Sequence, residues 1–302
     1  MDIAVFMSTY NGEAFIEKQL DSIKKQTLAD HIHLYVRDDG SNDRTVKLLE
    51  EFKTEIDMTI ICGDNIGPEK SFWELFTDER IKADYYAFCD QDDIWDEDKL
   101  EKGIMALSGR DDKELWCSNC RVIDGKDVVI AERYHVELPC FTISSQFVCG
   151  SIQGCAMFFS NRLRDMIISE NISVFPMHDF VLVTYAIVND WLIYDDMPRF
   201  SYRIHDDNVI AKGNRATFSG IRSSIVRWFG AKYKHVLSRY AGEFYKANKD
   251  KMAVNEGTFI NDLANSRKSL NKRLRVVKSP LCVTRNAKGL RSFKIRTMIG
   301  II

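Results

Sequence analysis

The stretch that most constrains this 302-residue chain is an apolar run that ends in three carboxylates. Residues 85–89 are apolar or aromatic, and Asp90, Asp92 and Asp93 follow within four positions. An apolar run of this length predicts a buried strand, and acids directly after it predict a site at the carboxyl edge of a sheet. Neighbouring carboxylates repel one another, so a cation is needed to keep them ionised. Mg²⁺ and Mn²⁺ prefer oxygen ligands and often share them with phosphates, so we predict a metal-diphosphate site.

The same pattern of strand and polar loop recurs through the first 214 residues. Four apolar segments each precede a polar loop and an amphipathic helical segment: residues 3–7, 32–36, 58–62 and 85–89. This alternation predicts an α/β fold with a mostly parallel sheet and helices on both faces. Further strands are predicted at residues 115–117, 128–130, 153–159, 191–194 and 199–202. A helix is predicted at residues 96–107, with Asp96 as its N-cap.

Charge divides the chain into two parts. Residues 1–214 contain 22 Lys and Arg against 40 Asp and Glu, whereas residues 215–302 contain 20 against 4. This asymmetry predicts an acidic catalytic domain followed by a basic, mainly helical region that meets an anionic membrane surface or another subunit. Basic and apolar residues around Trp228 have the pattern of a membrane-surface helix. No run approaches the roughly 20 apolar residues of a membrane span, and cysteines placed mostly in apolar runs favour reduced thiols in the cytoplasm.

Four motifs, in this order, resemble those of the glycosyltransferase family 2 proteins with a GT-A fold. They are Ser8-Thr9-Tyr10-Asn11, Asp38-Asp39-Gly40-Ser41, Asp90-Gln91-Asp92-Asp93 and His178-Asp179. The continuation to Trp95 and the later sequence Tyr202-Arg203-Ile204-His205 look like the bacterial rhamnosyltransferase-like branch. The resemblance covers about residues 1–214. It implies an inverting, metal-dependent transfer of a sugar from a UDP- or dTDP-sugar to a hydroxyl of a glycan.

A set of residues at strand ends is predicted to bind the nucleotide-sugar. These are Thr9, Tyr10, Asn11, Asp39, Asn65, Gly67, Lys70, Asp90, Gln91, Asp93 and Arg203. By resemblance, Asp39 matches the position that accepts the N3–H of a pyrimidine base, and the loop around Thr9 covers that base. Lys70 and Arg203 are candidates for phosphate contacts, because an arginine fork matches phosphate geometry. Asp90 is expected to orient toward the ribose or the metal, and Asp93 toward the donor sugar.

The metal and the catalytic base are assigned by the same resemblance. Asp92 is the implied ligand of Mn²⁺ or Mg²⁺, and His205 matches a histidine that the family often places near the diphosphate. The metal would neutralise the diphosphate and stabilise the leaving group. Asp179 matches the family's general base, and the start of a helix would keep its carboxylate ionised. His178 stands where many relatives carry Glu, so which of the two removes the proton stays open.

Trp95 and Gly154 are the candidates for an acceptor pocket. Trp95 can stack on a sugar face, although the resemblance also implies a structural role, and Gly154 lies where relatives shape that pocket. The basic C-terminal region suggests a lipid-linked or oligosaccharide acceptor of bacterial surface polysaccharide assembly. It also predicts a peripheral location at the inner face of the plasma membrane, with a homo-oligomer through this region as the alternative.

Other functions fit the residues less well. A sugar-nucleotide nucleotidyltransferase would need a basic, glycine-rich loop after the first strand, yet no basic residue occurs there before Lys18. A non-catalytic membrane-associated scaffold conflicts with the intact Asp39, Asp92 and Asp179. We expect no nucleic-acid partner, because aliphatic residues and Trp228 interrupt the basic region and suit lipid better than a phosphate groove.

Overall fold

The structure is a computed structural model that describes residues 1–150, 152–205 and 235–302. Two compact units are formed: Met1–Glu137, Ile152–Ser169 and Asp190–Ile204 make up the first, and Leu138–Ser151, Glu170–Asn189 and His205–Ile302 the second. The domain boundary predicted after residue 214 and the amphipathic segment around Trp228 both lie outside the described residues. The division into an acidic domain and a basic region therefore stays a prediction.

In the described part of the first unit, nine strands form one mixed sheet. The strands are β1 Ile3–Thr9, β2 Ile32–Asp38, β3 Met58–Cys62, β4 Tyr85–Asp90, β5 Ile94–Trp95, β6 Leu115–Ile123, β7 Val129–Ala131, β8 Met157–Ser160 and β9 Leu192–Arg203. Their order is β3-β2-β1-β4-β8-β6-β9-β5, and β7 pairs with β6. This confirms the predicted α/β class.

The strands β1 to β4 are parallel, and their register places the strand-end motifs side by side. Ser8 lies opposite Asp90, and Thr9 lies opposite Asp38. The residues of β1 from Ile3 to Met7 are at most 1% exposed, because this strand lies between β2 and β4 in the sheet order. The polar residues that end these strands therefore meet at one edge of the sheet, as the sequence predicts.

The rest of the sheet is mixed, and four predicted strands differ from the structure. The strand predicted at 115–117 continues as β6 to Ile123. β8 is antiparallel to both β4 and β6, whereas β6 and β9 are parallel. The strand predicted at 153–159 begins only at Met157, because Gly154–Ala156 form a 3₁₀ turn. The strands predicted at 191–194 and 199–202 are one strand, since register shifts near Asn119 of β6 let β9 continue through Pro198.

Eleven helices lie in the described residues of the two units. They are α1 Ile16–Lys24, α2 Thr45–Phe52, α3 Pro68–Thr77, α4 Lys99–Leu107, α5 Ile143–Val148, α6 Asn161–Ser169, α7 His178–Val188, α8 Val236–Asn248, α9 Val254–Ala264, α10 Leu270–Lys278 and α11 Ala287–Met298. The predicted N-cap Asp96 is wrong, because α4 starts at Lys99 after residue Asp98. The Asp96 carboxylate instead pairs with Arg121 of β6.

The second unit is helical in its described residues and has an aromatic core. Phe147 of α5 stacks on Tyr240 of α8 with ring centroids 5.8 Å apart. Tyr185 of α7 meets Phe244 of α8 edge to face at 5.4 Å, and Phe180 meets Tyr240 at 5.8 Å. Aromatic pairs in these geometries stabilise a core beyond the area that they bury.

Among the helices that the structure describes, none has the length and apolar character needed to cross a membrane.

Candidate functional site

Asp38 ties the loop after β1 to the loop after β2. Its carboxylate accepts hydrogen bonds from Thr9 Oγ1 at 2.9 Å, Ser41 N at 2.8 Å and Ser41 Oγ at 2.6 Å, and the residue is buried. Asn11 N donates to Ser41 Oγ at 2.9 Å, which fixes the next residues of the first loop. The structure thus brings together two of the four motifs, and Asp38 is the anchor that sequence reasoning did not single out.

Asp39, the predicted base-recognition residue, holds the loop that follows β3. It is buried, and it accepts Ile66 N and Gly67 N at 2.9 Å each while pairing with Arg37. Gly67 has a φ of 88°, which glycine adopts without a steric cost. The structure therefore connects Asp39 to Gly67 by a hydrogen bond and so fixes the loop after β3. Asn65 lies in the same loop and is exposed. Contact of these residues with a nucleotide stays a prediction.

Lys70 lies exposed in the first turn of α3, directly after the loop that Asp39 holds. Its backbone N donates to Gly67 O at 3.2 Å, so the start of the helix is fixed to the same loop. The N-terminal end of a helix attracts anions through its free N–H groups and its dipole. This placement is compatible with the predicted phosphate contact, which stays a prediction.

Gln91 connects the acidic motif to the first loop. Its side chain accepts a hydrogen bond from Tyr10 N at 2.9 Å and donates to Tyr10 O at 3.1 Å. This arrangement needs Gly12, because a Cβ there would lie 2.3 Å from Gln91 Oε1. Tyr10 itself is 45% exposed at this edge. The predicted nucleotide-binding loop is therefore held by a side chain from the acidic motif.

The acidic loop, residues 90–93, forms a compact group with one thiol. Ligand atoms of Asp90, Asp93 and Cys155 all lie within 4.8 Å of one another. Asp93 is fully buried, and burial together with the charges of Asp92 and Asp90 raises the pKa of its carboxyl well above the usual range. Burial, together with the charges of Asp93 and Asp90, raises the pKa of the Cys155 thiol. The group therefore holds fewer negative charges than its residue types imply, unless a cation binds.

This group fits a hard divalent cation through its carboxylates. Asp93 Oδ2 is buried, and no nitrogen or oxygen donor reaches it from the residues that the structure describes. A cation would give this oxygen a charged partner, and Asp90 would add a second oxygen. The protonated thiol of Cys155 suits Mg²⁺ or Mn²⁺ poorly. Within the described residues Asp92 and His205 are not part of this group, and their roles as metal ligands stay predictions.

Arg203, predicted to contact phosphate, is fully buried and directed at the acidic loop. Its Nε donates to Asp92 O at 2.7 Å, and its backbone N donates to Asp93 Oδ1 at 3.2 Å. Its Nη1 donates to Asp124 O at 3.0 Å and pairs with Asp127. The structure thus brings Arg203 to the predicted site, in contact with protein oxygens.

Lys99 is a buried cation that sequence reasoning missed. Its Nζ donates to Cys155 O at 2.8 Å and lies 3.5 Å from the centroid of the Trp95 ring. Burial lowers the pKa of Lys99 to about 8, against the opposing influence of Asp93 and Asp90. No local pattern marks this lysine, because the carbonyl that it binds lies 56 positions away in sequence. It places a positive charge behind the acidic loop.

The two predicted acceptor-pocket residues are both buried in the first unit. Trp95 is 3% exposed, and Lys99 Nζ covers its ring. The backbone N–H of Trp95 donates a hydrogen bond to Ser22 Oγ at 3.1 Å. These contacts agree with the structural role that the resemblance also implied for Trp95. Gly154 lies in the 3₁₀ turn before β8 and is likewise buried. Acceptor binding by either residue stays a prediction.

The predicted base and its neighbour open α7 in the second unit. Asp179 lies in the first turn and is partly exposed, and its Oδ1 accepts Phe180 N at 2.6 Å. His178 is buried, and burial lowers the pKa of its imidazole to about 3. His178 is therefore neutral near pH 7. His205, the other predicted histidine, is partly exposed and also belongs to the second unit.

Comparison with known proteins identifies the family and the fold of the chain. The model of the Glycosyl transferase family 2 matches residues 4–169. The chain is 28% identical to the dTDP-rhamnosyl transferase RfbG of Shigella flexneri, over 85% of this chain and 87% of that protein. It is 25% identical to the putative glycosyltransferase EpsH of Bacillus subtilis, over 72% and 64% of the two chains.

Two solved structures share the fold. S. aureus TarS 1-349 in complex with UDP-GlcNAc aligns with a TM-score of 0.58 and 15% identity, over 99% of this chain and 89% of that one. The mannosyltransferase PcManGT from Pyrobaculum calidifontis, in complex with GDP-Man and Mn²⁺, aligns with a TM-score of 0.50 and 14% identity, over 98% and 86%. At this identity the likeness establishes the fold alone.

Proposed function

The chain belongs to glycosyltransferase family 2, and we propose that it is an inverting, metal-dependent enzyme that moves a sugar from a UDP- or dTDP-sugar to a hydroxyl of a glycan. The observation that carries this proposal is the acidic loop at the carboxyl end of β4, beside the loops anchored by Asp38 and Asp39. Two similar proteins support both donor types, since RfbG is named a dTDP-rhamnosyl transferase and TarS 1-349 was solved in complex with UDP-GlcNAc.

We propose that the acidic loop holds Mn²⁺ or Mg²⁺ with the donor diphosphate. Asp90 and Asp93 offer the clustered oxygens, and Asp92 and His205 are the ligands implied by the family resemblance. A bound cation would stabilise the diphosphate as it leaves. PcManGT, a protein of the same fold, was solved with Mn²⁺. The loops of Thr9 and Asp39 would hold the base and ribose, and so orient the sugar's anomeric carbon.

We propose Asp179 as the general base. Its position in the first turn of α7 favours the ionised carboxylate. A buried imidazole whose pKa is about 3 is a weak base and has little contact with solvent, which disfavours His178. The acceptor oxygen would attack the anomeric carbon opposite the nucleoside diphosphate. The new glycosidic bond forms as the bond to the diphosphate breaks, and the hydroxyl proton passes to Asp179.

The C-terminal region supports a lipid-linked acceptor at the cytoplasmic face of a membrane. Residues 263–302 contain eleven Lys and Arg and no Asp or Glu. Along α11, exposed Lys288 and Arg291 share a helical stripe with Ile295 and Ile299, which are 44% and 48% exposed. Basic and aliphatic groups on one stripe suit an anionic lipid surface. Bacterial surface polysaccharide assembly is the corresponding pathway class, and self-association through this region is the alternative.

A thermal-shift panel tests the donor assignment. UDP-, dTDP- and GDP-sugars are each added with and without Mn²⁺, and we expect stabilisation by a UDP- or dTDP-sugar that depends on Mn²⁺. Asp92→Ala should remove the Mn²⁺ dependence, whereas Asp179→Asn should keep the stabilisation and abolish sugar transfer. Stabilisation by none of the donors would contradict the proposed function. Transfer by Asp179→Asn would move the base elsewhere.

Liposome flotation tests the membrane assignment. Replacing Lys288 and Arg291 by Gln should weaken flotation with anionic vesicles, because each basic residue near such a surface contributes about 1 kcal/mol. The matched control replaces Lys47 and Lys53, two exposed lysines of α2 and the residue after it, by Gln. Equal flotation of both double variants and the wild type would contradict membrane contact through α11.

A further inference from the structure

Arg203 links two segments of the first unit that are distant in sequence. It contacts Asp92 and Asp93 of the acidic loop through its Nε and its backbone N. It contacts Asp124 and Asp127 through Nη1. These two aspartates belong to the hairpin turn, residues 124–128, between β6 and β7. We propose that Arg203 is a positioning residue, a clamp that fixes the acidic loop against the hairpin turn.

The surroundings of the guanidinium suit a clamp. Arg203 is 0% exposed, and its guanidinium carbon lies 4.7 Å from the centroid of the Phe15 ring. A buried charge is costly unless hydrogen bonds and an opposite charge compensate it, and here two carbonyl oxygens and the Asp127 carboxylate do so. Because the guanidinium is planar and its donors point in fixed directions, it sets the spacing between the groups that it contacts.

The hairpin turn is itself firmly held, so it can serve as an anchor. Asp124 Oδ1 accepts Lys126 N at 2.8 Å and Val128 N at 3.0 Å. Asp127 has a φ of 66° and pairs with Lys18 of α1 as well as with Arg203. Asp127 thus contacts both Lys18 and Arg203. Because Arg203 holds the acidic loop, the placement of that loop depends on Asp127 as well.

This role differs from the phosphate contact that the family resemblance implies for Arg203. As a clamp, Arg203 acts together with Asp127, so Asp127→Asn should reproduce part of the effect of Arg203→Lys. As a phosphate ligand, Arg203 acts on the donor directly, so Asp127→Asn should have no effect on binding. The functional consequence rests on the proposed metal-diphosphate site, whereas the clamp itself can be tested without any ligand.

The first experiment measures amide hydrogen exchange in the ligand-free protein. The variants are Arg203→Lys, Asp127→Asn and the double variant, and the control is Arg199→Lys, which lies on the same strand and pairs with Asp195 at 2.8 Å. We expect faster exchange in both residues 90–95 and residues 122–128 for each clamp variant, and no change there for the control. Exchange that rises in one segment alone, or in neither, would overturn the clamp.

The second experiment titrates Mn²⁺ and follows UDP and dTDP binding by calorimetry. Arg203→Lys should raise the Mn²⁺ concentration for half-maximal nucleotide binding about tenfold, as loss of a group that orients metal ligands does. Asp127→Asn should shift it in the same direction, and the double variant should show no more than the Arg203→Lys effect, because the two residues act as one unit. Weaker nucleotide binding in Arg203→Lys, with Asp127→Asn unchanged, would overturn the clamp in favour of phosphate contact.

The two experiments separate failure of the clamp from failure of the proposed function. A wild-type protein that binds neither nucleotide with Mn²⁺ contradicts the proposed function, and the exchange measurement still decides on the clamp. If Arg203→Lys does not fold, Asp127→Asn alone carries both measurements, since its side chain is partly exposed. Unchanged exchange and unchanged Mn²⁺ dependence in Asp127→Asn would then overturn the clamp.

Discussion

Arg37 is a buried arginine held by two carboxylates in very different surroundings. Its partner Asp39 has a side chain that is 3% exposed, whereas its partner Glu74 is 60% exposed. Asp39→Asn and Glu74→Gln each remove one negative charge from the same guanidinium and change the side-chain volume very little. We predict that burial, and not the count of ion pairs, decides how much stability each variant loses.

The magnitude for Asp39→Asn follows from three contacts. The carboxylate accepts Ile66 N and Gly67 N on separate oxygens and pairs with Arg37. An amide offers one oxygen, so one buried backbone donor loses its acceptor at a cost of about 1–3 kcal/mol. Together with the broken buried ion pair, the expected loss is about 3–5 kcal/mol. For Glu74→Gln the lost pair is exposed, and the expected loss is about 0–1 kcal/mol.

Urea unfolding of both variants measures these losses. The wild type and the two variants are compared by tryptophan fluorescence, and the free energy of unfolding is extrapolated to water. We expect Asp39→Asn to lose several times more stability than Glu74→Gln. Equal losses in the two variants, or a loss below about 1 kcal/mol for Asp39→Asn, would refute the assignment of Asp39 as a buried anchor.

Three further predictions concern other parts of the structure. Gly12→Ala places a Cβ 2.3 Å from Gln91 Oε1, so the Gln91 side chain must move away from the Tyr10 backbone. The two hydrogen bonds lost are exposed, so we expect a loss of about 1 kcal/mol in urea unfolding and weaker nucleotide binding; an unchanged protein would contradict the Gln91 contact. Burial lowers the pKa of His178 to about 3, so the unfolded chain binds a proton at higher pH than the folded one. Stability should therefore fall by about 4 kcal/mol as the pH drops from 6.5 to 3. His178→Phe should remove that part of the pH dependence of urea unfolding, and a profile identical to the wild type would refute the prediction. Burial lowers the pKa of Lys99 from 10.5 to about 8, so between these values the unfolded chain holds a proton that the folded chain has lost. The free energy of unfolding should therefore rise by about 3 kcal/mol as the pH increases over that range. Lys99→Met should abolish this rise, and its persistence would contradict the burial of the charge.

The parallel half of the sheet was predictable because its signals are local. Each of β1 to β4 is an apolar run followed by a polar loop, and the carboxyl ends of parallel strands must share an edge. The approach of Thr9, Asp39 and Asp90 follows from that rule alone. The same reasoning placed these motifs beside one another without any side-chain contact being known.

The features that the sequence did not reveal depend on distant partners. Asp96 has the residue type and position of an N-cap, yet Arg121 of β6 takes its carboxylate and α4 starts later. Lys99 has the residue type of a surface position, yet Trp95 and the carbonyl of Cys155 bury it. Local propensity yields to tertiary contacts at such positions. No local pattern marks the anchoring role of Asp38 either, because its hydrogen bond from Thr9 spans 29 positions.

Release of nucleoside diphosphate from UDP- and dTDP-sugars by the purified protein tests the metal-dependent glycosyltransferase function most directly. The assay compares reactions with Mn²⁺ and with EDTA, in the wild type and in Asp92→Ala. We predict release from at least one of these donors with Mn²⁺, loss of release with EDTA, and loss of release in Asp92→Ala. Release that continues unchanged with EDTA and in Asp92→Ala would contradict the metal-dependent site at the end of β4.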